Sequence, residues 1–157
     1  HYASELIKSF KQISVDQVTN DVREFNIKNY IDEIFLTNNN KLKKIPVAIV
    51  ISSQDDNLLI KTSPGVISQI FNNLIQNSIM HGFDKSNKKA KISVMIKIEE
   101  EMINIVYKDN GKGIEETIKD KIFEPFITTK RNEGGTGLGL NIVYNLIHQK
   151  LKGTLKL

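Results

Sequence analysis

The sequence predicts an α+β fold, a two-layer α/β sandwich in which one mixed sheet is covered by helices on one face. Two observations carry this prediction. Apolar residues recur at helical spacing in segments on both sides of the middle of the chain. In the middle, two stretches of alternating apolar and polar residues are separated by an acidic turn, as expected for paired strands. The alternating residues are Ile92, Val94, Ile96 and Ile98 in the first stretch and Ile103, Ile105 and Tyr107 in the second.

The first part of the chain is predicted to contain two helices and two short strands. Helical spacing predicts a helix over residues 2–19 and a second over about residues 28–43. An apolar strand follows over residues 46–51, and residues 57–61 are expected to form its partner. The length of 157 residues fits one domain, and the first helix has no capping residue before it, as if it began inside a longer helix.

The later helices have clearer boundaries. Ser63 suits the N-cap of a helix that runs to about Ile79, because Pro64 follows at the first helical position. A last helix is predicted over about residues 138–151, and a strand is predicted to begin at Thr154. No return strand follows it, so we expect the final part of the sheet to be missing.

Composition excludes several kinds of protein. The chain has no cysteine, which excludes disulfides and thiolate metal sites. No apolar run approaches the roughly 20 residues of a membrane-spanning helix. The net charge of +4 and the pI near 9.2 favour an anionic partner only weakly. The lysines are spread along the chain rather than clustered with aromatic residues, which argues against a nucleic-acid-binding domain.

Three polar clusters could carry chemistry, and the first lies on the Ser63 helix. Asn73 and Asn77 are four residues apart, so both side chains lie on one helix face. Their amide oxygens suit a hard cation such as Mg²⁺. Asparagines on an amphipathic helix are also ordinary surface residues, and that alternative stays open at this point.

The second cluster, Asp109-Asn110-Gly111-Lys112-Gly113, directly follows a predicted strand. A carboxylate beside two glycines could accept a hydrogen bond from the exocyclic amino group of a purine, since the glycines let a ligand approach the backbone closely. Asp-Asn-Gly is also a common turn signal, so a plain turn is the alternative.

The third cluster, residues 134–140, is glycine-rich and leads directly into the last helix. Free backbone N–H groups at a helix N-terminus can bind an anion such as phosphate. The cluster is neither a Walker A loop nor a dinucleotide fingerprint, and a flexible loop is the alternative. Lys130 and Arg131 lie just upstream and could pair with phosphates or be plain surface charges.

In their order and spacing, these clusters resemble the motifs of the ATP-binding domain of sensor histidine kinases, within the Bergerat-fold superfamily that includes gyrase and heat-shock chaperones. Residues 73–77 resemble the N box, residues 109–113 the first glycine box, residues 123–126 the F box and residues 135–140 the second glycine box. The upstream segment Glu5-Leu6-Ile7-Lys8-Ser9-Phe10 is similar to the end of the kinase dimerisation hairpin.

The resemblance implies a role for each motif. Asn77 would coordinate a Mg²⁺ ion that bridges the ATP phosphates, and Asp109 would accept the adenine amino hydrogen. A lid would run from Ile114 to Thr136, anchored by Phe123 and Phe126. The expected catalytic residues are Asn73, Asn77 and His81, with Asn77 as the metal ligand. The expected nucleotide-binding residues are Asn73, Asn77, His81, Asp109, Gly111, Gly113, Ile114, Phe126, Thr129, Lys130, Arg131, Gly135, Thr136, Gly137, Leu138 and Gly139.

The resemblance also implies an organisation and a set of partners. Residues 1–20 would end the dimerisation and phosphotransfer helix, and residues 21–157 would form the catalytic ATP-binding domain, truncated at its C-terminus. The reaction would move the γ-phosphoryl group of ATP to a histidine on the upstream dimerisation domain. The partners would be that domain and a response regulator receiver domain, without nucleic acid. We expect a cytoplasmic location and a homodimeric parent protein, whether or not the parent is membrane-anchored; a monomer is open for this chain alone.

Three features depart from the family pattern. Met80-His81 stands where many kinases carry Lys-Tyr, so His81 either replaces a phosphate-contacting lysine or is a helix-end histidine with a local partner. The final strands of the family are missing after Leu157. None of His1, His81 and His148 stands in the context of the phosphoacceptor, so self-phosphorylation is not expected.

Three other functions remain as alternatives. ATP hydrolases of the gyrase or chaperone kind carry a glutamate base where this chain has Asn73, and an amide cannot take a proton from water. A serine kinase that acts on a sigma-factor antagonist is disfavoured by the dimerisation-like helix. A scaffold that binds ATP without catalysis would fail to phosphorylate an added dimerisation domain.

Overall fold

A computed structural model of the chain describes residues 7, 11–16, 19, 21–43, 45–83 and 89–157. The elements in chain order are α1 (residues 11–16), β1 (Arg23–Asn26), α2 (Ile27–Thr37), α3 (Asn39–Leu42), β2 (Val47–Ser53), β3 (Leu59–Thr62), α4 (Pro64–Asn77), β4 (Ala90–Glu99), β5 (Met102–Asp109), α5 (Glu116–Lys119) and α6 (Gly139–Asn145). A π-helical turn extends α4 over Ser78–Gly82 and another extends α6 over Leu146–Lys150, and Arg131–Glu133 form a short 3₁₀ turn. No helix in the described ranges is long and apolar enough to cross a membrane.

The strands form two separate sheets. β2 runs parallel to β4, and β4 pairs with β5 in antiparallel fashion, which makes a three-stranded mixed sheet. β1 and β3 form a two-stranded antiparallel sheet. The expectation that residues 57–61 pair with residues 46–51 is therefore wrong. β2 pairs instead with the longer and more apolar β4, and β3 pairs with β1, a strand that the sequence did not predict.

One face of the mixed sheet is buried under helices, as predicted. Along β4, Ile92, Val94 and Ile96 are buried, whereas Lys91 and Met95 on the other face are exposed. Residues of α2 and α4 pack with this buried face in one core cluster. The largest fully buried side chains of this core are Ile27, Ile31, Ile34, Ile75, Ile92, Ile96 and Val94.

The predicted second helix is divided at Asn38. The buried Nδ2 of Asn38 donates to the Ile34 carbonyl oxygen at 2.9 Å and to Asn72 Oδ1 at 2.7 Å. The side-chain amide of Asn38 thus hydrogen-bonds a carbonyl group in the last turn of α2 and links that helix to α4. The chain then continues into α3, a separate helical turn.

The two ends of the chain differ from their predictions in different ways. Helix is present at residue 7 and over residues 11–16; the rest of the helix predicted over residues 2–19, apart from Thr19, which is not helical, lies outside the described residues. The strand predicted from Thr154 is wrong, because residues 152–157 form no strand. Leu155 packs instead against a small cluster between α4 and α6 that contains Val66, Ile70 and Val143.

Candidate functional site

An exposed carboxylate lies at the carboxyl end of β5. Asp109 is the last residue of this strand, and its Oδ2 accepts a hydrogen bond from Ser78 Oγ at 2.7 Å. Its Oδ1 accepts a hydrogen bond from the Gly111 N–H at 2.9 Å. Ser78 is buried and Asp109 is exposed. The carboxylate is therefore fixed from the protein side and open on the other side.

The loop after β5 lies directly against the end of the α4 extension. The Lys112 N–H donates to the Gly82 carbonyl oxygen at 3.0 Å, and a Cβ at Gly111 would lie 2.5 Å from the same oxygen. Only glycine fits at position 111. Gly113 has a φ of +77°, which favours glycine, and a Cβ there would meet no atom within 4 Å. The backbone at Gly113 thus faces open space that a flat ligand could occupy.

Two asparagine amides of α4 face the first residue of α6. A Cβ at Gly139 would lie 3.3 Å from Oδ1 of Asn73 and 3.3 Å from Oδ1 of Asn77. Asn73 Nδ2 donates to the Gln69 carbonyl oxygen at 2.8 Å. Asn77 Nδ2 is buried and has no hydrogen-bond partner among the described residues. A buried amide N–H group without a hydrogen-bond partner indicates a place where a bound ligand can accept that hydrogen bond.

This pair of amide oxygens fits a Mg²⁺ ion that is bound together with phosphates. Mg²⁺ in proteins is usually held by one or two protein oxygens, substrate phosphates and several waters. Within the described residues there is no group of three or more histidine, aspartate or glutamate side chains that could hold a metal ion. A cation at Asn73 and Asn77 would therefore take most of its ligands from phosphate and water.

The expected lid segment is held by its two phenylalanines in different ways. The Phe123 ring packs against the Tyr144 ring at a centroid distance of 5.6 Å, and its carbonyl oxygen accepts from Asn141 Nδ2 at 2.8 Å. The Phe126 N–H donates to the Gly137 carbonyl oxygen at 2.9 Å. Phe126 is 61% exposed, and its φ of +69° is unusual for a bulky residue. Phe126 thus anchors the lid through its backbone and not through its ring.

The two cations upstream of the glycine-rich cluster have protein partners. Lys130 Nζ donates to Glu133 Oε2 at 2.9 Å, which lowers the pKa of the exposed Glu133 carboxyl group. Arg131 Nη2 donates to the Phe126 carbonyl oxygen at 3.0 Å. The Gly135 N–H donates to the Lys130 carbonyl oxygen at 2.9 Å. Because both cationic groups pair at the surface, a phosphate could compete for them at low cost.

His81 connects the α4 extension to the lid. Its Nδ1 lies 3.2 Å from Thr129 Oγ1. Partial burial lowers the pKa of His81, and the positive charges of Lys130 and Lys112 lower it further. The histidine therefore has a local partner and also stands beside two cations, where an added anion would be favoured.

The structure thus brings most of the predicted residues into two neighbouring groups. The first is the end of β5 with the α4 extension, and the second is the start of α6 with Asn73 and Asn77. At the start of α6, the Leu138 N–H donates to Thr136 Oγ1 at 3.3 Å. Ile114 is 41% exposed at the entrance to the lid segment. The roles of all these residues in binding a nucleotide stay predictions.

Sequence reasoning missed the two hydroxyl groups behind Asp109. Ser78 Oγ lies 2.9 Å from the Tyr107 hydroxyl oxygen in addition to its bond to Asp109. The available signal was that Ser78 directly follows Asn77 on a helix with a buried face, where a hydroxyl group requires a partner.

Residues 62–157 match the model of the family described as histidine kinase-, DNA gyrase B- and HSP90-like ATPases. The chain is 31% identical over 144 residues to sporulation kinase A of Bacillus subtilis, an alignment that covers 91% of this chain and 23% of the relative. It is 37% identical over 105 residues to the signal transduction histidine-protein kinase ArlS of Staphylococcus aureus, which covers 64% of this chain and 22% of that protein. The chain therefore spans about a quarter of the length of these relatives.

The fold is similar to that of solved kinase domains. The catalytic domain of the histidine kinase ThkA superposes with a TM-score of 0.70 at 28% identity, over 83% of this chain and 82% of that domain. The predicted α+β sandwich with a mixed sheet is confirmed by this likeness as well as by the strand order.

Proposed function

The chain belongs to the family of histidine kinase-, DNA gyrase B- and HSP90-like ATPases, and from this premise we propose that it binds Mg²⁺ and ATP between Asp109 and Asn77 and transfers the γ-phosphoryl group to a histidine. The acceptor histidine would belong to a dimerisation domain, whose last segment would be residues 1–20. Residues 21–157 would be the catalytic domain.

The observation that carries the proposal is the arrangement around Asp109. Its carboxylate is fixed by Ser78 and by the Gly111 N–H, and it faces the solvent beside a glycine whose backbone is open to a flat ligand. An ionised carboxylate only accepts hydrogen bonds, so it selects a ligand edge that donates. The adenine amino group is such a donor, and Gly113 leaves room for the ring.

The phosphates would lie at the other end of the site. Asn73 and Asn77 present amide oxygens toward the start of α6, where the backbone carries Gly135, Gly137 and Gly139. Glycines in this segment let phosphate oxygens reach the main-chain N–H groups. Lys130 and Arg131 would exchange their surface partners for phosphate oxygens. A bound Mg²⁺ would neutralise the charge that develops on the transferred phosphoryl group.

The transfer reaction relies on position and on charge, not on covalent chemistry by the protein. In this proposal Asn73 and Asn77 orient the cation, and His81 donates to a phosphate oxygen in place of its contact with Thr129. Asn73 cannot act as a general base, so the site favours transfer to a bound nucleophile over activation of water. An ATP hydrolase is for this reason the weaker reading.

The proposed partners have a parallel in one solved histidine kinase. ThkA has been solved in complex with the response regulator protein TrrA, in a structure that superposes on 95% of this chain with a TM-score of 0.64 at 23% identity. At that identity the likeness concerns the fold alone. A receiver domain that takes the phosphoryl group from the histidine, and a cytoplasmic location for the reaction, are parts of the same proposal.

The first experiment is a calorimetric titration of the purified chain with a non-hydrolysable ATP analogue, with and without Mg²⁺. We expect micromolar binding that requires Mg²⁺ for full strength. Asp109→Asn should weaken binding by roughly tenfold or more, since a hydrogen bond to a charged group is lost. Asp32→Asn, a change in an exposed acidic residue of α2 away from the site, is the matched control and should bind as the parent chain does.

The second experiment tests transfer. The chain is incubated with γ-labelled ATP and the dimerisation domain that precedes it in the whole protein, with an acceptor His→Ala form of that domain as control. Label on the histidine form alone supports the kinase assignment. ATP binding with no label on either form, or several ATP turnovers per minute by the chain alone, would contradict it.

A further inference from the structure

A chain of three polar side chains runs from the sheet core to the surface behind the site. The Tyr107 hydroxyl oxygen lies 2.9 Å from Ser78 Oγ, and Ser78 Oγ lies 2.7 Å from Asp109 Oδ2. Ser78 is 2% exposed. None of the sequence motifs accounts for Tyr107, which lies two residues before Asp109 on β5 and therefore on the same face of the strand.

The direction of these hydrogen bonds follows from proton counting. A serine hydroxyl has one proton, and the carboxylate of Asp109 can only accept. Ser78 therefore donates its proton to Asp109, and the Tyr107 hydroxyl must donate to Ser78. Burial raises the pKa of Tyr107 well above its usual range, so the tyrosine stays a donor. Because Tyr107 donates to Ser78 Oγ, the Ser78 proton is directed toward Asp109 Oδ2.

The tyrosine is itself held in place. Its ring meets the Phe71 ring edge to face at a centroid distance of 6.3 Å, and Tyr107 is paired across the sheet with Val94. Phe71 and Val94 are both buried in the main core. The orientation of the Asp109 carboxylate is thus linked through Ser78 to rigid packing beneath the site.

We propose that Tyr107 and Ser78 are positioning residues that orient the Asp109 carboxylate and thereby set the preference of this site for a 6-aminopurine over a 6-oxopurine. This inference rests on the proposed ATP binding and goes beyond it, since it assigns base discrimination to residues that do not touch the nucleotide. The Gly111 N–H and Ser78 occupy one acceptor position on each carboxylate oxygen, so the remaining acceptor positions are aimed outward. An amino group at position 6 donates to them, whereas an oxo group presents an acceptor and is repelled.

The test compares the affinities of the purified chain for ATP and for inosine triphosphate, which differ at purine position 6. Tyr107→Phe removes only the hydroxyl group, after which Ser78 is free to rotate its proton toward a backbone carbonyl oxygen. We expect this variant to bind ATP roughly three- to tenfold more weakly, while its affinity for inosine triphosphate is nearly unchanged. The ratio of the ATP affinity to the inosine triphosphate affinity should therefore fall.

Tyr30→Phe is the matched control. The Tyr30 hydroxyl also donates to a buried aspartate, Asp16, at 3.1 Å, but this pair involves α1 and α2 and not the end of β5. Its removal should lower the stability of the chain without changing the ratio of the two affinities. A change of the same size in both variants would mean that the effect comes from general loosening, and the proposal would be wrong.

The outcomes separate this inference from the proposed function. If the parent chain binds neither nucleotide, the proposed function fails. If the parent chain prefers ATP and Tyr107→Phe keeps the same ratio, ATP binding stands and the positioning role is wrong. Should Tyr107→Phe not fold, Ser78→Ala provides the same comparison, with a change at the buried Ser68 of α4, Ser68→Ala, as its control. If neither variant folds, the two hydroxyl groups serve folding, and that result also overturns the proposal.

Discussion

Gly139 begins α6 so close to Asn77 that a Cβ on the glycine would lie 3.3 Å from the asparagine Oδ1. The distance from the same Cβ position to Asn73 Oδ1 is also 3.3 Å. The start of α6 and the two amides can therefore share a small ligand only while position 139 has no side chain.

Gly139→Ala should separate nucleotide binding from stability. Alanine stabilises a helical position by about 0.4–1 kcal/mol when it fits the backbone, and the small displacement of the amides offsets part of this. We expect an unfolding free energy within about 1 kcal/mol of the parent chain, together with a clear loss of Mg²⁺-dependent ATP affinity in the calorimeter. Gly153→Ala, where a Cβ would make an ordinary 3.5 Å contact with Ile147, is the control. Unchanged ATP affinity in Gly139→Ala would contradict the role of this contact.

Two glycines with positive φ should respond differently to alanine. At Gly113 a Cβ meets nothing within 4 Å, so Gly113→Ala costs only the strain of a left-handed residue, about 1–2 kcal/mol. At Gly137 a Cβ would lie 2.5 Å from the Phe126 carbonyl carbon, so the lid must move as well. Limited proteolysis of residues 114–137 should be faster in Gly137→Ala than in Gly113→Ala. Equal rates would show that the contact between Phe126 and Gly137 does not hold the lid.

The stability of the chain should fall in acid partly because of His81. Burial and the nearby lysines lower the pKa of His81 in the folded state below the ordinary value of 6.5. The unfolded chain then binds the proton more readily, so the contribution of His81 to stability is present above pH 6.5 and is lost as the pH falls below it. Melting temperatures measured between pH 7.5 and about pH 5.5 should fall more steeply for the parent chain than for His81→Gln. Parallel curves would contradict the predicted shift.

The buried aspartate at the end of α1 should contribute to the attachment of that helix. Asp16 is 5% exposed and accepts hydrogen bonds from Gln12, Arg23 and Tyr30, each within 3.1 Å. Tyr30→Phe removes one of these donors to a charged group, and we expect a loss of about 1.5–3 kcal/mol in the free energy of urea unfolding. Lys28→Met, which removes ion pairs to the exposed carboxylates of Asp32 and Asp56 from the same helix α2, should cost less than about 1 kcal/mol. Similar losses in the two variants would argue against a special role for Asp16.

The sequence predicted those parts of the fold that local pattern determines. Strands β4 and β5 were predictable because their alternation continues over several residues and one face is buried. The pairing of β1 with β3 was not, because each strand has four residues, and Phe25 and Ile60 are the only apolar partners in the same register. Such pairs are decided by packing between distant segments, which a local pattern does not contain.

In the candidate site, too, local features could be predicted from the sequence and contacts between distant residues could not. The spacing of Asn73 and Asn77 and the position of Asp109 at the end of a strand could be predicted, because helix periodicity and strand ends are local properties. The hydrogen bond between Ser78 and Asp109 could not, because it joins residues 31 positions apart. Phe126 was expected to anchor the lid, but its backbone hydrogen bond to Gly137 and its large exposure could not be predicted from the local sequence.

The π-helical turn after α4 has a consequence for insertions and deletions. The Phe83 N–H donates to the Ser78 carbonyl oxygen at 2.9 Å, five residues back, so this turn accommodates one residue more than an α-helical turn would. Deleting one residue between Ser78 and His81 would let the segment close as an ordinary α-helix. His81 and Gly82 would then each stand one position earlier in the turn, displaced from Thr129 and Gly111, while Asn77 and Ser78 stayed where they are. The extra residue thus works as a spacer of fixed length, and homologous chains that keep this site should tolerate substitutions within the turn more readily than a change in its length.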